Sequence, residues 1–459
     1  MPQTVDNPIQ SELRELVREQ LRLLLSDRNF EGVKTLLMPV QPVDIAEAIE
    51  ALPQPMRLGA FRLLPKARAI TVYEYLATDA QQSLIEEFRD QEILEIVNGM
   101  SPDDRASLFD ELPPALVRQI VTQLTPEERQ ATAQLLGYRP ETAGRLMTPE
   151  YIALSDQLTV AQAAEEIRQL ARDREVSYYI YIVDERGQLS GVASLRDLLL
   201  ADPQHALSTV MDRDVIYVQT ETDQEAVART IQRYDLVAAP VVDGDLILVG
   251  VVTVDDAIDV LQEEATEDIY NMGAVNAEGD SYFQANMTAV TRKRVPWLFV
   301  LLITNALTIL VMSHFEEVLE EVVALAFFTP LLIDAGGNVG AQSSTVVIRG
   351  LSTDELKNRK PIWVILRESL AGSILGLLLG LAVIVLVFVF IGHVEIGLTV
   401  GISLLFIAVL AATTGAGLPF VFHAMGFDPA LMSSPFITTV VDILGIFIYL
   451  STAKLLLGL

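Results

Sequence analysis

From residue 10 to about 140, apolar side chains return every three or four positions, in runs too short for long helices. "ELRELVREQLRLLL" is one amphipathic stretch, and "DIAEAIEALP", "RLGAFRLLP" and "DDRASLFDELP" each end on Leu-Pro. Proline lacks the amide proton that a helix interior uses, so Pro53, Pro65 and Pro113 are each expected to stop a helix. This loose recurrence predicts a stack of short helices, a small superhelical domain rather than one bundle. At the other end of the chain the pattern is continuous. Five apolar stretches, at about 295–313, 319–342, 366–392, 396–422 and 434–457, are each long enough to cross about 30 Å of hydrocarbon.

Between these regions the pattern alternates strand and helix, and it occurs twice. "VMDRDVIYVQTETDQEAV" echoes "LMTPEYIALSDQLTVAQA", and "VVDGDLILVGVVTVDDAI" echoes "IVDERGQLSGVASLRDLL". Each copy runs Met-x-x-x-x-Ile, a helix, a strand ending Val-Asp, a hairpin turn, Gly-Val, and a helix opened by Asp. The doubled order resembles a tandem pair of CBS domains over roughly 145–262, a regulatory module that often senses nucleotides and does not catalyse. An acidic helix, a glycine-containing break and a second amphipathic stretch then lead to Arg292, Lys293 and Arg294. This connector either transmits movement or is a passive linker. The reading is therefore multidomain: an α-helical superhelical domain (1–140), an α/β CBS pair (141–265), a connecting helix (266–291) and an all-α membrane domain of five helices (292–459).

Charge changes the picture of the soluble part. The chain has a formal net charge of −29. Residues from 290 onward hold 9 Lys+Arg and 11 Asp+Glu, leaving a net charge of −27 on residues 1–289. Such an arm repels nucleic acid and anionic lipid and attracts cations, although a solubilising surface would look the same. Cysteine is absent, which excludes thiol and zinc-thiolate chemistry. The N-terminal stretch has no apolar core or cleavage site of a secretory signal. Basic residues cluster before the first span and after the second (Arg349, Lys357, Arg359, Lys360, Arg367). The positive-inside bias then predicts an inner-membrane protein with its N-terminal arm in the cytoplasm and its C-terminus outside.

Polar residues inside the spans carry the candidate chemistry, because each is costly unless it meets water or another helix. In "FFTPLLIDAGGNVGAQSST", Pro330 and Gly336-Gly337 are expected to loosen the helix beside Asp334, Asn338 and Gln342. Thr413, Thr414, Gly415, Gly417 and Pro419 in the fourth span suit either close packing or a water-filled path. Asp442 stands in "SSPFITTVVDILGIFIYLS", and no Lys or Arg lies at the centre of any span to neutralise it. A bound cation, water or protonation remains, and a cation path is the reading preferred. Glu316, Glu317, Glu320 and Glu321 either concentrate cations at the outer mouth or favour a helix N-terminus.

The domain order, with "PLLIDAGGNVGAQ", "FDPALMSSPFITTVVD" and "VTVDDAIDVLQEEATED", closely resembles the MgtE family of magnesium channels over essentially the whole chain. The resemblance implies a homodimer in lipid, with a Mg²⁺ pore on the two-fold axis and no nucleic-acid partner. It places the filter on the Asp442 carboxylate and the Thr438 carbonyl, and a further ion contact on Asp428; Asn338 and Gln342, from the polar stretch of the second span, are candidate pore lining. Regulatory Mg²⁺ would bind Asp256, Asp259, Glu264, Glu267 and Asp268, with Asp223, Glu225 and Asp235, and with Asp103 and Asp104 from the helical domain. Thr71 stands where another acid is expected. An ATP site in the CBS pair would use Tyr179, Arg196 and Asp197, with Leu236 where an aromatic residue could stack.

These residues suit a hydrated divalent ion. Mg²⁺ prefers oxygen ligands and sheds water slowly, so carboxylates and carbonyls can hold its hydration shell. Mn²⁺ or Co²⁺ would resemble it, whereas softer metals want imidazole or thiolate. Facing carboxylates would repel one another without Mg²⁺ and be bridged by it, making the acidic arm a feedback sensor that closes at high Mg²⁺. The rival readings are an H⁺- or Na⁺-coupled carrier using Asp442, and a membrane-tethered sensor that transports nothing. No nucleophile–base motif or phosphate-binding loop suggests an enzyme.

Overall fold

The computed structural model describes residues 8–88, 90–170, 176–273, 287–353, 355–356 and 359–459. The glycine-containing break expected in the connector falls in 274–286, outside the described residues. The chain divides into two compact units, Met1–Glu263 and Glu264–Leu459.

The first unit opens with α1 (Pro8–Ser26) and continues through short helices. Pro53, Pro65 and Pro113 do mark helix ends, and each is also the N-cap of the helix that follows. Proline's fixed φ suits that position, and its missing N–H costs nothing there. Helix α2 (Pro102–Glu111) begins at Ser101, whose Oγ accepts from Asp104 N, and α3 (Pro126–Leu136) begins at Thr125 in the same way. Val33, Leu37, Ile45, Ile49, Tyr73 and Leu84 are among the fully buried side chains of this core.

The repeat seen in the sequence is a repeat of topology. Strand β1 (Tyr151–Ser155), helix α4 (Val160–Leu170), strands β2 (Val176–Val183) and β3 (Leu189–Ser194), and helix α5 (Leu195–Leu200) form the first copy. Strand β4 (Val218–Gln219), helix α6 (Gln224–Tyr234), strands β5 (Ala238–Val242) and β6 (Leu248–Thr253), and the 19-residue helix α7 (Val254–Met272) form the second. In each sheet the first strand runs parallel to the second, and the second antiparallel to the third. The Val-Asp signal has a physical basis. Asp184 Oδ1 accepts from Arg186 N and Gln188 N, and Asp243 Oδ1 accepts from Asp245 N and Ile247 N, closing the same turn twice.

The second unit contains five apolar helices long enough to cross a membrane: Arg294–His314, Val323–Ser352, Pro361–Ile391, Val394–Ala424 and Phe436–Leu457. They belong to α8 (Met287–His314), a 3₁₀ turn (Val323–Phe328) followed by α9 (Thr329–Ser352), α10 (Pro361–Ile391), α11 (Val394–Ala424) and α12 (Pro429–Leu457). One expectation is corrected. Pro330 and Gly336-Gly337 do not loosen the second span, because α9 is unbroken from Thr329 to Ser352. Pro330 sits in the first turn, where no amide proton is needed.

Gly336 instead lets neighbouring helices approach. A Cβ there would lie 2.6 Å from Ile407 Cγ2 and 2.7 Å from Val441 Cγ1. At Gly340 it would meet Ile437 Cγ2 at 2.6 Å, and at Gly415 the Gly340 carbonyl oxygen at 2.3 Å. Gly372, Gly376 and Gly380 of α10 pack in the same manner against α11. Close approach at small residues is how helices associate where water gives no hydrophobic drive. For Gly415 the choice left open by the sequence resolves to packing.

Candidate functional site

In the second unit, the polar residues are arranged around α12 and α9. Asp442 is half-buried, and its Oδ1 is buried without a hydrogen-bond partner among the described residues. Such an atom in a span calls for water, a proton or an ion. Thr438, one turn earlier, has an exposed side chain. Asp334, Asn338 and Gln342 are exposed along one side of α9, four residues apart. Thr439 also reaches another span, with its Oγ1 3.5 Å from Thr304 Oγ1 on α8.

At the start of α12, Asp428 has two tasks. Its Oδ1 caps the helix by accepting from Ala430 N (2.8 Å), and its Oδ2 accepts from Asn271 Nδ2 (2.8 Å). Asn271, at the end of α7, is 4 % exposed, and the same nitrogen lies 3.3 Å from Glu267 Oε1. Ser352 Oγ, at the end of α9, donates to Asp268 Oδ2 (3.2 Å). Asn271 thus links Glu267 and Asp428, which the sequence assigned to two different sites, while Asp268 is held by Ser352. Asn271 was missed because an asparagine in an acidic helix carries no local signal.

In the first unit, Asp103 is buried and Asp104 half-buried on α2. Burial raises the Asp104 pKa, the Ser101 hydroxyl opposes this, and the charges of Asp255 and Asp259 on α7 raise it further. Asp259 and Glu263 are raised too, each first by loss of water and then by a neighbouring carboxylate, Asp255 and Asp259 respectively. Both keep exposed surface, so solvent screens much of the effect. Asp255 and Glu263 were missed. They follow Asp259 at i−4 and i+4, a spacing that places all three on one face of α7.

The other sensor candidates are less gathered. Asp256 Oδ2 accepts from Thr253 Oγ1 (2.6 Å). Asp223 caps α6 through Glu225 N and Ala226 N, Glu225 pairs with Arg229, and Asp235 closes the far end of α6 with φ +51°. Twelve residues of rise, about 18 Å, keep Asp223 and Asp235 apart. Among the described residues, no three carboxylate or imidazole side chains converge on one point that could hold a metal ion. For the nucleotide candidates, β2 pairs Tyr179 with Ser194. Asp197 Oδ2 accepts from Ser194 N and Oγ in a capping box, which places Arg196 and Asp197 in the helix turn that follows the strand position paired with Tyr179. The Ser194 bonds lower the Asp197 pKa.

A carboxylate with an unpartnered oxygen in a glycine-packed apolar bundle, on a chain with five apolar helices long enough to cross a membrane, fits the class of membrane cation transporters. Residues 329–452 match the family described as divalent cation transporter, 40–141 the MgtE intracellular N domain, and 143–203 and 207–263 the CBS domain. A magnesium transporter MgtE of Thermus thermophilus is 40 % identical over 97 % of this chain and 99 % of its own length. One from Bacillus subtilis is 34 % identical over 94 % and 95 % respectively. The crystal structure of the cytosolic domain of the Mg²⁺ channel MgtE in complex with ATP covers 53 % of this chain and 99 % of its own, with 37 % identity and TM-score 0.51. The chain belongs to the MgtE family of magnesium transporters, which is not a family of enzymes.

Proposed function

We propose that this protein is a Mg²⁺-selective channel that imports magnesium across the inner membrane and closes when cytoplasmic Mg²⁺ is high. Two copies form the pore on their two-fold axis, with the N-terminal units in the cytoplasm and the C-termini outside. Asp442 from each copy offsets the divalent charge, while Thr438 carbonyls accept hydrogen bonds from the ion's waters. Asp428 guards the cytoplasmic end, and Asn338 and Gln342 face the water-filled path. Mg²⁺ bridging Asp103 and Asp104 to Asp256, Asp259, Glu264, Glu267 and Asp268, with Asp223, Glu225 and Asp235, favours the closed state. ATP binds the CBS pair at Tyr179, Arg196 and Asp197, as the ATP complex of a related cytosolic domain suggests.

The observation that carries this reading is the half-buried Asp442 with an unpartnered oxygen in an apolar helix. The same feature suits a coupled carrier whose Asp442 takes up a proton. Mg²⁺ flux into proteoliposomes separates the two. A channel gives currents reversing at the Mg²⁺ equilibrium potential, and a carrier gives flux that tracks the proton or sodium gradient. Asp442→Ala is expected to abolish flux or selectivity; normal, selective flux in that variant would remove Asp442 from the filter.

A further inference from the structure

Glycine contacts fix how α9 and α12 lie against each other. Gly336 packs on Val441 and Gly340 on Ile437, so one helix ascends as the other descends. Each residue along α9 is therefore matched by one step back along α12. Asp334 falls level with Ile443, one residue and about 1.5 Å of rise from Asp442, and Asn338 falls level with Thr439. Asp334 and Asn338 are both exposed, on the side of α9 turned away from the glycine contacts. Gln342 and Thr345 continue that exposed polar row toward the other end of the span.

This row cannot face lipid cheaply. A carboxylate at the centre of an isolated span costs about 2.5–3.5 kcal/mol on insertion scales, and the row adds amides and a hydroxyl. No basic side chain among the described residues pairs with Asp334. Against a second copy in a dry interface, the two Asp334 charges would repel. A water-filled path satisfies both conditions, and the match in depth brings that path to the level of the filter.

We propose that Asp334 is a second cation-binding carboxylate of the permeation path, at the same depth as Asp442, and that its ligand is a hydrated divalent cation. This rests on the two-fold pore proposed above, with the open side of α9 turned to the axis. Each copy then supplies two carboxylates at that level rather than one. Asp334 raises the local cation concentration and Asp442 selects.

Full-length protein in proteoliposomes tests this, with wild-type Mg²⁺ flux measured in parallel. Asp334→Asn is expected to lower flux at limiting Mg²⁺ about tenfold, and Asp334→Glu to restore most of it. The natural chain has no cysteine, so a single introduced thiol can be read without background. Asp334→Cys is expected to react with a water-soluble cationic methanethiosulfonate and to be protected by Mg²⁺. Leu378→Cys, on an exposed apolar position of α10, should stay unreactive. Wild-type flux in Asp334→Asn, or an unreactive Asp334→Cys, overturns the proposal even where the wild type conducts. Absent wild-type flux counts instead against the channel reading, and labelling still reports whether water reaches residue 334.

Discussion

Arg105 is fully buried, a rare place for a guanidinium. It donates to Val97 O (2.7 Å), Met100 O (2.6 Å) and Thr132 Oγ1 (3.0 Å), and pairs with Glu128. One side chain thus ties α2, which carries Asp103 and Asp104, to α3. Arg105→Met would leave buried carbonyls without a donor, and should cost about 3 kcal/mol. Thermal unfolding followed by circular dichroism would check the direction. Asn271 makes a different prediction. Its amide stands between the Glu267 and Asp428 carboxylates, so Asn271→Ala would set them against each other. If that junction belongs to the closed state, the variant should conduct at Mg²⁺ concentrations that shut the wild type. Flux at high cytoplasmic-side Mg²⁺ that stays as low as wild type would remove Asn271 from the gate.

At the scale of elements, much of this architecture was legible, for reasons that differ from one element to the next. The five spans were visible because about twenty apolar residues in a row have few soluble explanations. The CBS repeat was visible because Asp184 and Asp243 make the same turn in both copies. Pro330 misled because a proline beside two glycines looks like a break, and only the helix start at Thr329 shows that it lies in the first turn. The row of Gly372, Gly376 and Gly380 was present in the sequence as Gly-x-x-x-Gly, yet its partners on α11 lie in a different span. It yields a clean test. A methyl group at Gly380 would sit 2.6 Å from the backbone oxygen of Gly401, which cannot turn aside, whereas at Gly417 the nearest atom is 3.8 Å away. Gly380→Ala should cost about 1–3 kcal/mol and Gly417→Ala little, read as thermal stability in detergent.

For the whole molecule, the acidic surplus couples stability to pH and to divalent ions. The Asp104, Asp259 and Glu263 pKa values are raised in the folded state. As pH rises past the ordinary carboxylate range, the unfolded chain loses these protons first. Over that window the folded state binds more protons, so stability falls with rising pH. Divalent ions that bind the folded state alone should oppose this loss. Thermal melts of the first unit across pH 4 to 7, with and without Mg²⁺, should show a falling midpoint that Mg²⁺ restores; a pH-independent midpoint would argue against mutual repulsion among Asp104, Asp255, Asp259 and Glu263. Removing residues 1–262 should leave flux that no longer responds to Mg²⁺. The acidic cluster on α2 and α7 was less legible than the spans, since a surplus of acids does not say which ones meet. Asp104 and Asp255 are far apart in the chain, and only the packing of α2 against the second CBS copy brings their charges into range.

The glycine seats on α9 also restrict how a pore could open. Gly336 and Gly340 are notches one turn apart, holding Val441 and Ile437, themselves one turn apart on α12. Sliding α12 by a fraction of a turn would drive branched side chains out of both notches together, and only a four-residue step, about 6 Å, would drop a side chain into a notch again. The contact behaves as a detent: small axial creep is resisted, while pivoting about the seats is not. In the channel proposed above, opening should therefore proceed by tilting or swivelling of α12, with the depth match between Asp334 and Asp442 kept throughout.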